Sequence, residues 1–372
     1  FFLGGRQMGP WVAAMSAQAS DMSAWLLMGL PGSILAFGFG QMWIGIGLAL
    51  GTAANWIFVA KRLRKFSSAA GDAITVPQYL GNRFLSKSNA LQVICAIIFF
   101  VCFTIYVASA YVAGASVFTA IFPSLSSHAA MIIFALAMLL ITFFGGFKAV
   151  CWTDFFQGIL MFAALMTVPI VIAITKDMDP AALSVVYSYK DAVSGEMVEC
   201  SFGTGLFDAS WQDIISGLAW GLGYFGMPHI LVRFMSIEKP SMVKKSATVA
   251  IIWVICALGC ACLIAYFGRM FLAEELLTAG AQKMVFIDFA RKLFPSFIAG
   301  ILMAAIIAAS MSTADSQLLV ASSSFTSDIY KPIIRKDADE KEILWVGRII
   351  VVIVAVIAFF IASSKGSGAQ AI

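Results

Sequence analysis

The sequence predicts an all-α membrane protein that crosses the bilayer many times. Of its 372 residues, 61% are hydrophobic and 12% are charged, whereas soluble domains are about 45–50% apolar and about 25% charged. Apolar segments of about 20 residues, the length that one crossing requires, recur along the whole chain. The alternating pattern of transmembrane β-strands is not seen in the sequence, so helices are expected throughout.

Nine apolar segments are predicted to span the membrane. Several are longer than about 25 residues, which indicates tilted or kinked helices. The segments are 10–32, 38–60, 88–121, 128–147, 150–175, 211–234, 243–272, 295–328 and 343–363. Most connections are short, apart from an acidic loop at 176–210, so residues 1–372 are expected to form a single transmembrane domain.

The basic residues predict the orientation of the chain. If residue 1 lies on the cytoplasmic side, most of the 24 Lys and Arg residues fall in the inside loops, as the positive-inside rule requires. Topology therefore explains the net charge of +4, and no nucleic-acid partner is expected. The lipid bilayer is the expected environment.

Shorter segments have simpler interpretations. Residues 76–84 (VPQYLGNRF) and 283–294 (KMVFIDFARKLF) have the composition of short amphipathic helices that lie at the membrane interface. The GLALG segment at 47–51 places small residues four apart, a pattern that allows two helices to approach closely.

The first and sixth spans are both interrupted near their middle. The first contains the polar run SAQASDMS at 16–23, and the sixth contains five Gly or Pro residues between 217 and 228. Five spans separate the two, so they cross the membrane in opposite directions. Interrupted helices at matching places in two halves indicate an inverted-repeat transporter with a site at the midplane. The alternative is that the Gly-rich helix is simply closely packed.

Asp21 is the most informative residue of the first span. A carboxylate near the bilayer centre costs roughly 2.5–3.5 kcal/mol, so a functional role is favoured. An unwound backbone beside it exposes carbonyl oxygens, which a hard cation such as Na+ prefers as ligands. A carboxyl group that only braces the helix bundle is the alternative.

The eighth span offers a matching set of oxygen atoms. Ala309, Ser312, Thr313 and Ser316 lie at i, i+3, i+4 and i+7 and so share one helical face. Together with carbonyls from a broken first helix, this face supplies five oxygens for one small ion. Such a face by itself is also typical of helix packing.

Two further carboxylates, Asp154 and Asp315, lie within predicted spans. They are candidates for a second cation site, and the alternative is that each braces a neighbouring helix. No Lys or Arg is expected deep in any span, so a zwitterionic substrate is favoured over a strongly anionic one.

Aromatic residues beside the interrupted segments are candidates for substrate contacts. They are Trp25, Tyr106, Trp220 and Tyr224. Enzymatic activity is not expected, because the chain has only two His residues and lacks the HExxH, GxSxG and phosphate-loop motifs.

Several long motifs resemble the sodium/solute symporter family, and most closely its sodium/proline branch. They are LGGRQMGPWVAAMSAQASDMSAWLLMGLPG, AVCWTDFFQ, AWGLGYFGMPHI, AASMSTADSQLLVASSSFTSDIYK and KEILWVGR. The resemblance covers essentially the whole chain. It implies the five-plus-five inverted-repeat fold of the leucine-transporter type, Na+-coupled import of L-proline by alternating access, and a place in the bacterial inner membrane.

The resemblance also implies a role for individual residues. Na+ would be bound between the first and eighth helices by the backbones of Ala19, Met22 and Ala309 and the hydroxyls of Ser312 and Thr313. Asp21 matches the acidic residue that Na+ dependence requires, and Arg6 matches a sensitive arginine at the cytoplasmic entry. Substrate contacts would come from Ser23, Trp25, Tyr106, Trp220, Tyr224 and Pro228. A second Na+ site would use Asp154, Ser312, Asp315 and Ser316.

The sequence departs from the family pattern at two positions. Ala24 stands where the branch commonly has Gly, and Asp315 stands where relatives with a second Na+ site have a hydroxyl. The family also has a helix before residue 1 and a tenth core helix after residue 372, so the chain is expected to be a fragment with core helices 1–9. Two alternative functions stay open: Na+ symport of pantothenate, a sugar or another amino acid, and the membrane module of a symporter-like sensor.

Overall fold

The computed structural model describes residues 3–190 and 196–364. Within these ranges the chain is mostly helical, as the composition predicts. The helices are α1 Pro10–Met22, α2 Gly29–Phe37, α3 Met42–Ala54, α4 Lys61–Ala69, α5 Val76–Arg83, α6 Ala90–Ile121, α7 Ser127–Thr175, α8 Trp211–Ala219, α9 Pro228–Ser236, α10 Val243–Phe271, α11 Ala273–Thr278, α12 Val285–Leu293, α13 Ser296–Phe325 and α14 Glu340–Ser363.

Six helical segments among the described residues are long and apolar enough to cross a membrane, and a pair bent by 44° makes a seventh. The six are Phe39–Ala69, Ala90–Ile121, Ser127–Thr175, Pro240–Phe271, Ser296–Ile334 and Glu340–Ser363. The bent pair is Trp211–Phe225 with Pro228–Ser236, which corresponds to the predicted sixth span. The number of crossings in the whole protein stays a prediction.

Two predicted spans, 128–147 and 150–175, are joined in the single helical segment α7. At about 1.5 Å per residue its 49 residues extend about 74 Å, more than twice the hydrocarbon thickness of a bilayer. Gly146 interrupts it with φ 58° and ψ −163°, a conformation that only glycine adopts without strain. A change of helix direction at this residue allows both halves to cross the membrane.

The centre of the bundle is formed by α1 and α13. Helix α13 packs between α6 and α7, and α1 packs against α7, α10 and α13. Both helices bury most of their length, including nearly every residue from Ala308 to Ser324. Because these helices are buried all round, the hydroxyls and carboxylates on them face protein and not lipid.

The GLALG segment makes the close contact that its small residues predict. A Cβ atom added at Gly47 would lie 2.3 Å from the carbonyl oxygen of Gly217, and one added at Gly51 would lie 2.3 Å from that of Gly221. Helix α3 is therefore in backbone contact with the sixth span, which only glycine permits.

A β-hairpin in the loop after α7 was not predicted. Strands β1 Tyr187–Lys190 and β2 Met197–Cys200 pair antiparallel. Arg269 of α10 lies beneath them and donates hydrogen bonds to the carbonyl oxygens of Leu35, Val185 and Cys200. Its side chain is fully buried, so it ties the hairpin to the end of α2.

Candidate functional site

The first span is broken where the polar run predicts a break. Helix α1 ends at Met22, and Ser23 has φ 47° and ψ −173°. A short 3₁₀ segment, Ala24–Leu26, follows, and the Ser23 Oγ accepts a hydrogen bond of 3.1 Å from the Trp25 N–H. The last carbonyls of an α-helix have no intrahelical donor, so the end of α1 presents backbone oxygens to other groups inside the bundle.

The sixth span is broken in a corresponding way. Helix α8 ends at Ala219, a 3₁₀ segment runs from Trp220 to Phe225, and α9 starts at Pro228 after the 44° bend. Pro228 occupies the first helical position, where its missing N–H is tolerated. Both interruptions that the sequence predicts are therefore present.

The break in α1 faces the hydroxyl-bearing side of α13. Ser312 Oγ donates to the carbonyl oxygen of Ala19 at 2.8 Å and lies 3.1 Å from that of Ala309. Thr313 Oγ1 donates to the same Ala309 oxygen at 3.1 Å. Four of the five predicted Na+ ligand oxygens are thus neighbours. Binding of Na+ by these residues, with Met22 as the fifth ligand, stays a prediction.

Asp21 lies on a different side of α1 from this oxygen cluster. Its carboxyl group lies beside the hydroxyl of Tyr224 in the broken sixth span. Its Oδ2 atom is buried and makes no hydrogen bond. The Ala19 carbonyl oxygen contacts Ser312 of α13, whereas Asp21 and Gln18, three residues apart, share the face toward α3. A role of Asp21 in Na+ binding stays a prediction.

The predicted substrate-contact residues line the two breaks. The rings of Trp25 and Trp220 stack with centroids 5.7 Å apart and an interplanar angle of 19°. Tyr106 of α6 lies beside Ser23. Trp25 lies four residues after Asp21 and Trp220 four residues before Tyr224 in the sequence, so the aromatic pair is close in the chain to the polar contact. Contact of these residues with substrate stays a prediction.

A buried arginine corrects the expectation that no Lys or Arg lies deep in a span. Arg233 of α9 forms an ion pair with Asp154 of α7, with Nη2 2.8 Å from Oδ2. Its Nε donates to Ser16 Oγ at 2.7 Å, and Ser16 donates to Asp154 Oδ2 at 2.6 Å. Arg233 is near the end of the predicted span, but its side chain is enclosed by residues of α1, α7 and α13.

The same network includes a residue of the predicted second Na+ site. Arg233 Nη2 donates to Ser316 Oγ at 2.5 Å, so a guanidinium group already lies between Asp154 and Ser316. Asp315 lies apart, where its Oδ1 accepts a hydrogen bond of 2.9 Å from Thr142. Two of the four candidate residues therefore share a protein cation, and a second Na+ there stays an untested prediction.

Arg6 connects three segments at the predicted cytoplasmic side. It donates to Ser67 Oγ at 3.1 Å and to the carbonyl oxygens of Ala73 and Met235, each at 2.8 Å. It also forms an ion pair of 2.8 Å with the exposed Asp72. These contacts join the start of the chain to α4, the following loop and the end of α9.

Comparison with known proteins places this arrangement in a family. The sodium:solute symporter family profile matches residues 1–370. The chain belongs to the sodium:solute symporter family. It is 43% identical to the sodium/proline symporter of Escherichia coli (strain K12) over 368 residues, which are 98% of this chain and 71% of that protein. It is 41% identical to the high-affinity proline transporter PutP of Bacillus subtilis (strain 168) over 367 residues, 99% of this chain and 76% of that protein.

Solved structures agree with the predicted fold of this family member. A Na+-coupled sialic acid symporter matches with a TM-score of 0.71 at 19% identity, over 97% of this chain and 75% of that one. A nucleobase-cation-symport-1 family transporter matches with a TM-score of 0.59 at 12% identity, over 99% and 75%. At such identities the likeness concerns the fold alone. It confirms the leucine-transporter-type fold that the sequence predicts.

Sequence reasoning missed several residues of the symporter's central region. Gln18, Thr52, Asn55 and Trp56 surround Asp21 and Tyr224 in a narrow polar crevice. Gln18 lies three residues before Asp21, and this spacing could have identified it. Thr52 and Asn55 are ordinary polar residues at the end of an apolar helix, so no local signal distinguishes them.

Proposed function

We propose that the protein is a Na+-coupled symporter that imports L-proline by alternating access. The observation that carries the proposal is the contact of Ser312 with Ala19 in the last turn of α1, just before the break, in a chain whose relatives at 41–43% identity are named as proline transporters. Two backbone oxygens and two hydroxyls form an oxygen-rich environment that suits a small monovalent cation. We further propose that residues 1–372 act as one transporter domain in the bacterial inner membrane, with residue 1 in the cytoplasm.

In this mechanism Na+ binding organises the substrate site. An ion held by Ala19, Met22, Ala309, Ser312 and Thr313 would fix the end of α1 against α13. The adjoining segment of the chain carries Ser23 and Trp25, so the same event would place the first set of substrate contacts. A substrate then binds the ion-bound state more tightly than the ion-free state, which is the coupling that symport requires.

The driving force is adequate with one ion per substrate. One charge that moves through about 100 mV supplies about 2.3 kcal/mol, and a tenfold Na+ gradient supplies about 1.4 kcal/mol. Together they support an accumulation of roughly 500-fold. A single Na+ site is therefore sufficient.

The proposal is tested with purified protein in liposomes. We expect uptake of labelled L-proline with an inward Na+ gradient and little uptake when choline replaces Na+. A competition panel of unlabelled amino acids, pantothenate and sugars then identifies the substrate class. Equal uptake in choline medium would refute Na+ coupling, and competition by a sugar but not by proline would refute the proposed substrate.

A further inference from the structure

The crevice beside Asp21 contains an unusual concentration of buried polar atoms without hydrogen bonds. The side chains of Gln18, Thr52, Asn55 and Trp56 are all at most 3% exposed. Unpartnered atoms in this crevice are Gln18 Nε2, Asp21 Oδ2, Asn55 Oδ1 and Trp56 Nε1, and the Thr52 hydroxyl lies beside that of Tyr224. A buried polar atom that is left without a hydrogen bond destabilises the fold. Four in one place indicate a ligand that satisfies them in another step of the transport cycle.

The chemistry of these atoms is mixed. Gln18 Nε2 and Trp56 Nε1 are hydrogen-bond donors, Asp21 Oδ2 and Asn55 Oδ1 are acceptors, and the Thr52 hydroxyl is both. A metal ion requires oxygen ligands and has no use for the indole N–H. A zwitterion requires both hydrogen-bond donors and acceptors from the protein, since its carboxylate accepts hydrogen bonds and its ammonium group donates them.

The crevice lies between α1 and α3, and aromatic rings adjoin it, an arrangement that suits the polar groups and the ring of an amino acid such as proline. On one side Asn55 Nδ2 donates to the Tyr224 carbonyl at 2.8 Å, and the glycine contacts of α3 keep that helix against the sixth span. On the other side lies α1 with Gln18 and Asp21. The stacked Trp25–Trp220 pair comes from the segments adjoining Asp21 and Tyr224, and it offers an apolar surface to a ring.

We infer that Gln18, Asp21, Thr52, Asn55 and Trp56 form a subsite for the ammonium and carboxylate groups of the transported amino acid. The ammonium group binds at Asp21 and Asn55, the carboxylate binds at Gln18, Thr52 and Trp56, and the ring lies toward the two tryptophans. In the present conformation α1 and α3 close on this space, and it opens when α1 moves relative to the α3–sixth-span unit. The inference deepens the proposed function and rests on it for the choice of L-proline.

The test uses variants that remove one polar group and keep the volume. Thr52→Val and Gln18→Met are each expected to raise the KM for L-proline about 10- to 100-fold, the range for a hydrogen bond to a charged group. Thr52→Ser retains the hydroxyl and is expected to stay within about threefold of wild type. Thr167→Val is the matched control, because the Thr167 hydroxyl bonds only to Ala163 of its own helix.

A second readout separates this role from ion binding and from misfolding. Binding of ²²Na+ to the purified variants without proline is expected to stay within about twofold of wild type. L-Prolinamide and pyrrolidine each lack one charged group of L-proline. As competitors of labelled L-proline uptake by the wild-type protein, they are expected to bind at least tenfold more weakly than unlabelled L-proline. In Thr52→Val and Gln18→Met, the ratio of the affinity for L-proline to the affinity for L-prolinamide is expected to be smaller than in the wild type.

Three results would overturn the inference. The first is an unchanged KM for L-proline in both variants. The second is a loss of ²²Na+ affinity in the variants as large as their loss of proline affinity. The third is that no zwitterionic amino acid raises the thermal melting temperature of the wild type. The proposed function fails separately. If L-proline raises the melting temperature of the wild type, Thr52→Val and Gln18→Met reduce that rise, and wild-type liposomes show no Na+-dependent uptake, symport is refuted and the subsite stands.

Discussion

Asp154 and Asp21 are both carboxylates in the centre of the bundle, but their surroundings differ. Asp154 Oδ2 receives hydrogen bonds from Arg233 and Ser16, and the ion pair is almost fully buried. Asp21 forms no ion pair with any of the residues that the structure describes. The negative charge of Asp154 is compensated by the side chain of Arg233, whereas none of the described residues forms an ion pair with Asp21.

We propose that Asp154 has a structural role and that Asp21 has a role in transport. A buried charge requires a partner of opposite charge. A protein side chain is a permanent partner, whereas a transported ion or substrate binds and leaves in each cycle. Asp154 and Arg233 therefore hold α1, α7, α9 and α13 together. The charge of Asp21 is available to a mobile cation, whether Na+ in the neighbouring oxygen cluster or the ammonium group of a substrate.

The largest effect is expected when the fixed pair is broken. Arg233→Met leaves the Asp154 charge buried and unpaired, which costs about 3–5 kcal/mol and should lower both the melting temperature and the yield of folded protein. The double variant Arg233→Met/Asp154→Leu should recover much of this stability, since no isolated charge remains. Thermal unfolding in detergent measures both, with Arg62→Met on the exposed side of α4 as control. A stable single variant would show that the pair is not needed for the fold.

Asp21→Asn should leave stability nearly unchanged and weaken Na+ binding. At an effective dielectric constant of about 20, a unit charge within about 6–12 Å of an ion contributes about 1.4–2.8 kcal/mol, or about 10- to 100-fold in affinity. Binding of ²²Na+ as a function of Na+ concentration measures this change. Unaltered Na+ affinity would mean that Asp21 acts on the substrate only.

Ser312→Ala and Thr313→Ala should each lower Na+ affinity about tenfold, because each removes one neutral oxygen ligand, a loss of about 1–1.5 kcal/mol. Ser310→Ala is a close control. Ser310 is buried on the same helix, and its hydroxyl bonds back to Ile306 at 3.1 Å. If all three variants behaved alike, the hydroxyls would serve α13 itself and not the ion.

The smallest effect is expected for a carboxylate that is paired but exposed. Asp72 is 70% exposed in its pair with Arg6, and such pairs contribute about 0–1 kcal/mol. Arg6 retains its three other hydrogen bonds when Asp72 is replaced. Asp72→Asn should therefore change the initial rate of proline uptake less than about fivefold. A larger loss would show that the ion pair itself controls the cytoplasmic side.

The sequence by itself determined the class of this protein and the places where its helices are interrupted. Hydrophobic length and composition predict a helical membrane protein because the bilayer leaves unsatisfied backbone groups no alternative. The polar run before Ser23 and the glycines before Pro228 predict the two breaks, because their effect on a helix is local. The shared face of Ser312 and Thr313 follows from helical periodicity alone.

Only the tertiary structure decided which partner each polar group has. Arg233 and Asp154 are 79 residues apart, and Thr75 bonds to Asp328 over a separation of 253 residues. The grouping of Gln18, Thr52 and Asn55 around Asp21 likewise depends on how α3 packs against the sixth span. Helical periodicity tells which side of a helix a residue occupies, but the neighbour on that side is set by the packing of the whole bundle.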